Sequence, residues 1–212
     1  MGLREEKKHK LRRQILTNAI QLFKERGFEQ VTIDDIVKTL EISQATFFNY
    51  FPSKDAILQH AAEDIVLRYQ QMLEEETRRD SPTSEKMSRL LESMGRGLQS
   101  DKRFYRTLFT RSVLNFGNIR AERILFDLSA GLMRQGQRCG EIDTEYDPSE
   151  LADIFIGIYY AIIMRWLHGD GSESLVDRLQ RGAAIFFSGV APAAATRVAE
   201  SRAVPRRGGA SS

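Results

Sequence analysis

The stretch that most constrains this chain is residues 32–54, TIDDIVKTLEISQATFFNYFPSK. Thr32 followed three residues later by Asp35 is a capping box that opens a helix. Ile33, Ile36, Val37 and Leu40 then recur at helical spacing and give that helix one buried face. Glu41-Ile42-Ser43 breaks the period, and Ser43 is a good N-cap for a second helix over residues 44–51. There Phe47 and Phe51 stand four apart and face inward together. Pro52 has no N–H to donate and disfavours helical geometry at the residue before it, so the helix stops there. Ser53 caps a third helix starting at Lys54. Two short helices joined by a three-residue turn make a helix-turn-helix, whose second helix can enter the DNA major groove. The same pattern also suits an ordinary helical hairpin inside an all-α core.

On the solvent side of the second helix the side chains have the chemistry of base readers. Gln44 and Asn49 can each bond an adenine edge, and Ala45 and the Thr46 methyl can touch a thymine methyl. Tyr50 and Lys54 can reach phosphates, which position a protein without reading sequence.

The residues themselves separate the two readings. Residues 11–58, LRRQILTNAIQLFKERGFEQVTIDDIVKTLEISQATFFNYFPSKDAIL, closely resemble the DNA-binding domain of the tetracycline-repressor (TetR/AcrR) family. The matching features are Ala19, Leu22 and Phe23, then Gly27-Phe28, Thr32-Ile33 and Ile36. They continue through Ser43, Thr46, Phe47, Phe48, Tyr50, Phe51 and Lys54. The family often has an aromatic hydroxyl where Phe48 stands and a histidine where Tyr50 stands, so only Tyr50 can give a phosphate hydrogen bond. The expected DNA contact set is Thr32, Ser43, Gln44, Ala45, Thr46, Phe48, Asn49, Tyr50 and Lys54.

The rest of the chain reads as all-α, about nine helices in total. Helix one is expected over residues 7–26, closed by Gly27 at the position where a left-handed residue ends helices. Residues 7–53 form the expected DNA-binding domain, and a helix over residues 54–77 connects it to the next. The acidic run Glu74–Glu76 at that helix's end reads as a solvated face, because consecutive side chains point in different directions. Ser, Pro and Thr residues around Pro82 mark the boundary. Residues 78–190 form a second, regulatory domain, with helices expected near residues 87–98, 104–115, 119–138, 151–167 and 174–188. Asp147-Pro148-Ser149-Glu150 is a strong helix start. The tail, residues 191–212, is rich in Ala, Arg, Pro, Gly and Ser and is expected to be disordered.

The 212 residues carry a formal net charge of only +2, so the whole chain is no polycation. Its first thirteen residues, however, hold six basic side chains (Arg4, Lys7, Lys8, Lys10, Arg12, Arg13) against Glu5 and Glu6. A basic arm beside a helix-turn-helix can contact phosphates; by itself it also suits a solvated terminus. Cys139 is the one cysteine, so no internal disulfide is possible, and a cytoplasmic location is expected. Residues 151–167 are apolar but contain Asp153 and Arg165, so a buried helix is expected there and no membrane span.

That helix has more apolar surface than one domain needs, which marks an interface. Two reading helices related by a two-fold axis would read a palindrome, so a homodimer on double-stranded DNA is expected. The resemblance agrees, implying that the last two helices of each subunit pair into a four-helix bundle. Ile158, Ile162, Trp166, Leu175, Leu179, Gly182 and Phe186 are assigned to that interface. The resemblance also implies a small-molecule effector enclosed by the middle helices. Phe104, Tyr105, Phe109, Phe126, Tyr159 and Tyr160 are the aromatics able to line such a pocket or to serve as core.

No cofactor and no metal set is expected, since His168 and Cys139 stand alone. No phosphate-binding glycine loop, nucleophile elbow or HExxH is present, so an enzyme is disfavoured. The expected function is a repressor released from a palindromic operator by a small, largely apolar ligand. The alternative is a similar DNA-binding regulator without a small ligand.

Overall fold

The structure, a computed structural model, describes residues 2–113, 119–170 and 172–192, with side chains of residues 3–4, 112–113 and 119–122 left aside. The expected disordered tail therefore lies, apart from its first two residues, outside the described residues. Nine α-helices occur among them: α1 Leu3–Arg26, α2 Ile33–Thr39, α3 Gln44–Phe48, α4 Lys54–Thr77, α5 Thr83–Gln99, α6 Lys102–Leu108, α7 Ile119–Arg138, α8 Pro148–His168 and α9 Leu175–Gly189. A 3₁₀ turn, Phe28–Gln30, follows α1, and a π-helical segment, Phe109–Val113, extends α6.

Most helix starts are set by local side chains. Ser43, Ser53, Asp101, Asp147 and Ser174 each accept a hydrogen bond from a backbone N–H in the first turn of the helix they open. Thr32 and Asp35 complete the reciprocal capping box of α2. Gly27 ends α1 with φ 91° and ψ 145°, a conformation open only to glycine, and sends the chain back so that Phe28 meets Phe23 edge to face at 4.9 Å. Several boundaries differ from expectation; α5 begins at Thr83 rather than near residue 87, and α6 ends at Leu108 rather than near residue 115. Helix α1 begins at Leu3 rather than near residue 7. Helix α3 ends at Phe48, with Asn49 as its C-cap; turn-like bonds from the Tyr50 and Phe51 N–H groups to the Phe47 carbonyl then carry the chain to Pro52.

Two cores form. The first is built from α1–α3 and the first half of α4, around Ile15, Phe23, Ile36, Phe47, Phe51, Ile57 and Leu58. Phe104 and Leu108 of α6 are buried in this same core. The second core holds Leu73 of α4, Met87, Leu90, Leu91 and Leu98 of α5, Leu132 and Met133 of α7, and the inner faces of α8 and α9. Helix α5 crosses α9 closely at Gly95, where an added Cβ would meet Val176 Cγ2 at 2.9 Å and the Val176 Cα at 3.3 Å. Ser88 and Gln180 bond to each other across the same contact.

Glu76 departs from the solvated face expected of the acidic run. It is buried and receives Arg89 Nε of α5 at 2.7 Å and Arg79 Nε at 3.3 Å, which ties the far end of α4 to α5. The Glu76 and Glu85 carboxylates hold the Arg89 guanidinium above its ordinary pKa. Among the described residues, α8 is the helix long and apolar enough to cross a membrane, by length and composition alone. It packs against α7 and α9, and its exposed side carries Asp153 and Arg165.

Candidate nucleic-acid interface

The turn between α2 and α3 depends on Glu41, which adopts φ 52°, the left-handed region that side chains with a Cβ seldom occupy. This places Ser43 to start α3, with Ser43 Oγ accepting from the Thr46 N–H at 3.0 Å and lying 2.8 Å from Thr46 Oγ1. Phe47 and Phe51 are fully buried. Because they anchor the inner side of the short helix, the opposite side is forced outward.

The outward set is the expected one in composition. Thr32, Ser43, Gln44, Ala45, Phe48 and Asn49 are exposed, and Thr46 and Tyr50 are half-buried. Phe48 is 48% exposed, a large apolar side chain left in water at the centre of a polar surface. Gln44 is not free: its Nε2 donates to Asp34 Oδ1 at 2.5 Å, so the amide is held across the α2–α3 turn. Both groups are exposed, so the bond can be exchanged for a base edge at little cost.

Lys54 is placed differently from the sequence expectation. Its Nζ donates to the Phe28 carbonyl at 2.9 Å and the Val31 carbonyl at 2.6 Å, and stands 4.5 Å from the centre of the Phe28 ring. An ammonium has three donors, so at most one remains for a phosphate. The side chain acts first as a bolt between α4 and the loop entering α2. Arg111, from the π-helical segment, covers the other part of this region. Its guanidinium pairs with Glu29 and with Asp55 at 3.1 Å, and lies 4.7 Å from the Phe28 ring centre. Arg103 of α6 donates to the carbonyls of Lys24 and Glu25 at the end of α1. Sequence reasoning missed this α6 clamp, since no local pattern marks the partner of a seven-residue helix.

The expected pocket aromatics do not gather at one place. Phe104 belongs to the DNA-binding core, where Lys24 Nζ stands 5.4 Å from its ring centre. Tyr105 touches both cores, while Phe109 and Tyr159 pack on the second. Phe126 and Tyr160 are half-buried. Burial raises the hydroxyl pKa of Tyr159 well above the usual tyrosine value, with neighbouring Tyr69 adding to it. Tyr69 and Tyr105 are shifted upward by burial as well. A cleft of about 310 Å³ opens between α4 and α7, lined in part by Leu73, Thr77, Leu128, Gly131 and Arg138. None of the expected aromatics lines it. Among the described residues, no cluster of three or more His, Cys, Asp or Glu side chains is placed to hold a metal ion.

The interface assignment also changes. Trp166, Leu175, Leu179 and Phe186 are buried in the chain's own second core. Gly182 faces Ile162 and Ile158 across the α8–α9 contact within the chain. These residues pack within the chain; the large apolar side chains most exposed on the two helices are Ile154, 55% exposed, and Ile185, 73% exposed.

A buried aromatic pair that turns a short polar helix outward, entered by a capped helix and a tight turn, defines a helix-turn-helix DNA-binding protein. Residues 15–61 match the model of bacterial regulatory proteins, tetR family. That match covers the helix-turn-helix region, less than a quarter of the 212-residue chain. The chain is 22% identical over 161 residues to the HTH-type transcriptional regulator LuxR of Vibrio harveyi, covering 74% of this chain and 78% of that protein. It is 40% identical over 47 residues to IcaR of Staphylococcus aureus, a negative regulator of the biofilm operon icaADBC, but spans only 25% of that protein. In fold it is similar to Thermus thermophilus FadR, a repressor solved in complex with lauroyl-CoA. The TM-score there is 0.70 at 22% identity, over 93% of this chain and 100% of that one.

Proposed function

We propose that the protein is a cytoplasmic repressor that binds a palindromic operator as a homodimer and leaves it when a small, largely apolar ligand occupies its second domain. It acts by binding, not by catalysis. The observation that carries this reading is the exposed side of α3, where Gln44, Ala45 and Asn49 stand free of the core that Phe47 and Phe51 fill. Gln44, Asn49, Ala45 and Thr46 read base edges, and Tyr50 and the remaining Lys54 donor hold phosphates, with Thr32, Ser43 and Phe48 at the edge of the contact. In a two-fold dimer the two α3 helices would stand about 34 Å apart and enter successive major grooves. The exposed faces of α8 and α9, with Ile154 and Ile185, are the surfaces best suited to that dimer.

Support for a ligand comes from two sides. The fold neighbour FadR holds lauroyl-CoA, and the second domain here buries tyrosine hydroxyls beside an apolar interior. A ligand releases DNA only by its differential affinity for the two domain arrangements, and a thousand-fold loss requires about 4 kcal/mol of coupling. A regulator without a small ligand draws its support from the modest cleft sizes, about 180 and 310 Å³.

The test begins with selection of bound duplexes from a random pool. A palindrome should emerge, and Gln44→Ala or Asn49→Ala should relax base preference at a defined position by about 1–3 kcal/mol. Absence of any preferred duplex would overturn the DNA-reading assignment. Titration of the complex with lauroyl-CoA and shorter acyl thioesters then examines release; bound ligand with unchanged operator affinity would overturn the switch while leaving the DNA function intact.

A further inference from the structure

Three tyrosines from three helices of the second domain hold hydroxyls with nothing to bond. Tyr69 stands on α4, Tyr105 on α6 and Tyr159 on α8. Tyr69 lies close enough to both of the others for their hydroxyls to interact electrostatically. Its Oη also reaches α5 where that helix has no side chain: a Cβ added at Gly97 would stand 3.7 Å away. Burial raises the pKa of all three hydroxyls, so each stays a neutral O–H donor. None has a hydrogen-bond partner among the described residues, although a tyrosine hydroxyl inside a protein usually finds one. None is sealed in, either. Among the described residues, the one fully enclosed side-chain polar atom without a partner is Asn18 Oδ1. The three donors are therefore unpaired and within reach of a molecule that enters.

The α4–α7 cleft leads toward them. Leu73 lines that cleft. It follows Tyr69 by four residues and so shares its face of α4, about 6 Å further along. Leu73, Leu128 and Leu132 give the cleft, about 310 Å³ in volume, an apolar floor. A Cβ added at Gly131 would meet nothing within 4 Å, so the α7 wall is open there. Glu74 and Asp127 line the same cleft against Arg138 alone, an excess of negative charge that opposes an anion. Arg68 is the cation that acts on Tyr69 and Tyr105, but it is exposed and its Nε donates to the Asp64 carbonyl. What the interior offers is neutral donors beside an apolar slot.

We propose that this is a binding site for a neutral amphiphile bearing a hydrogen-bond-accepting oxygen, of the ester, lactone or ketone class. Its apolar body lies along the α4–α7 cleft, and its oxygen is held by Tyr69 with Tyr105 and Tyr159. The inference rests on the small-ligand reading above and adds the chemical class of the ligand and the donors that select it. An alkane fills the slot but leaves the hydroxyls unpaired. An anion meets the acidic rim, and an ammonium ion brings no acceptor. A site built to bond a polar group rejects analogues that lack it, because its own buried polar groups are then left unpaired.

The test titrates the full chain with methyl octanoate, octanoate and octyltrimethylammonium, followed by saturation-transfer NMR. Wild type should hold the ester about fivefold or more tighter than either ion. Tyr69→Phe and Tyr159→Phe remove only a hydroxyl, and each should weaken ester binding about fivefold, the size of one hydrogen bond. Their urea midpoints should equal or exceed that of wild type, since no bond within the chain is lost. A lowered midpoint would show that the hydroxyl already serves the fold, and would overturn the proposal. Gly131→Leu fills the cleft without a clash and should abolish ester binding. Ester affinity unchanged in the tyrosine variants or in the Gly131 variant, or an ion held as tightly as the ester, would also overturn it. Release of DNA by lauroyl-CoA with none of the three compounds bound would sink this proposal and leave the reading beneath it standing. No bound ligand in either assay would remove both.

Discussion

Replacing Lys54 with methionine separates the two roles open to this residue. As a phosphate contact it would contribute about one unit of salt slope and nothing to folding. As a bolt it holds two carbonyls, of Phe28 and Val31, and stacks on the Phe28 ring. A hydrogen bond to a charged group is worth about 1.5–3 kcal/mol when desolvated. The side chain is only half-buried, so about 1 kcal/mol for each bond is the better figure. The ring contact adds about 0.5–1 kcal/mol. Methionine keeps most of the stem's packing, so Lys54→Met should cost roughly 2–3 kcal/mol, nearly all of it in the DNA-binding half. At an m-value of about 2 kcal/mol per molar, the urea midpoint should fall by about 1–1.5 M. Trp166, the one tryptophan, sits in the second core, so the transition is followed by far-ultraviolet ellipticity and by hydrogen exchange in α2 and α3. An unchanged midpoint with a salt slope shallower by about one would refute the bolt and restore the phosphate role.

Three further predictions test other parts of the structure. Glu41→Gly removes the steric cost of a left-handed residue at φ 52°, and after the glycine's unfolded-state entropy is counted it should stabilise by about 0.5–1 kcal/mol in thermal unfolding; destabilisation would show that the Glu41 side chain matters more than its backbone. Gly95→Val forces atoms onto the Val176 backbone at the α5–α9 crossing and should cost about 2 kcal/mol or more, read as a lowered Trp166 fluorescence midpoint. The carboxylates of Asp35 and Asp147 are held below the ordinary 3.8, chiefly by the hydrogen bonds they accept from Thr32 and from the Ser149 and Glu150 backbone. Stability from a depressed carboxylate is present above its unfolded value and lost as pH falls through its folded one. Acid unfolding should therefore steepen below about pH 4, and Asp35→Asn with Asp147→Asn should flatten that limb.

Local chemistry made most of the fold legible. Helix α4 runs over residues 54–77 as expected, because Ser53 and the apolar period both act within a few residues. Helix α8 starts where Asp147 and Pro148 require. The start of α1 was missed for the opposite reason: Glu5 and Glu6 are exposed and polar, so no apolar period announces that turn. The exposed side of α3 was readable because Phe47 and Phe51 fix which way it turns. An apolar stripe on α8 or α9, by contrast, says that a surface will be covered but not by what. Trp166, Leu175, Leu179 and Phe186 are covered by their own chain, which leaves Ile154 and Ile185 as the outer apolar residues. The Gln44 side chain is exposed on α3 as expected, yet its bond to Asp34 depends on a turn geometry that composition does not specify.

The placement of α6 bears most directly on how the two halves communicate. Phe104 and Leu108, four residues apart, are buried in the DNA-binding core, while Tyr105 and Phe109, also four apart, pack against the second core. One short helix is therefore shared by both. The exposed ion pairs of Arg111 with Glu29 and Asp55 are worth about 0.2–1 kcal/mol each, too little to carry the roughly 4 kcal/mol that a thousand-fold release requires. Burial of two large apolar side chains supplies about 1.5–3 kcal/mol apiece, which is of the right size. Through α6, a displacement of Tyr105 and Phe109 would be felt by Phe104 and Leu108 in the first core. If the proposed release operates, the shared apolar packing of α6 rather than the Arg111 pairs is of a size to bear its energy.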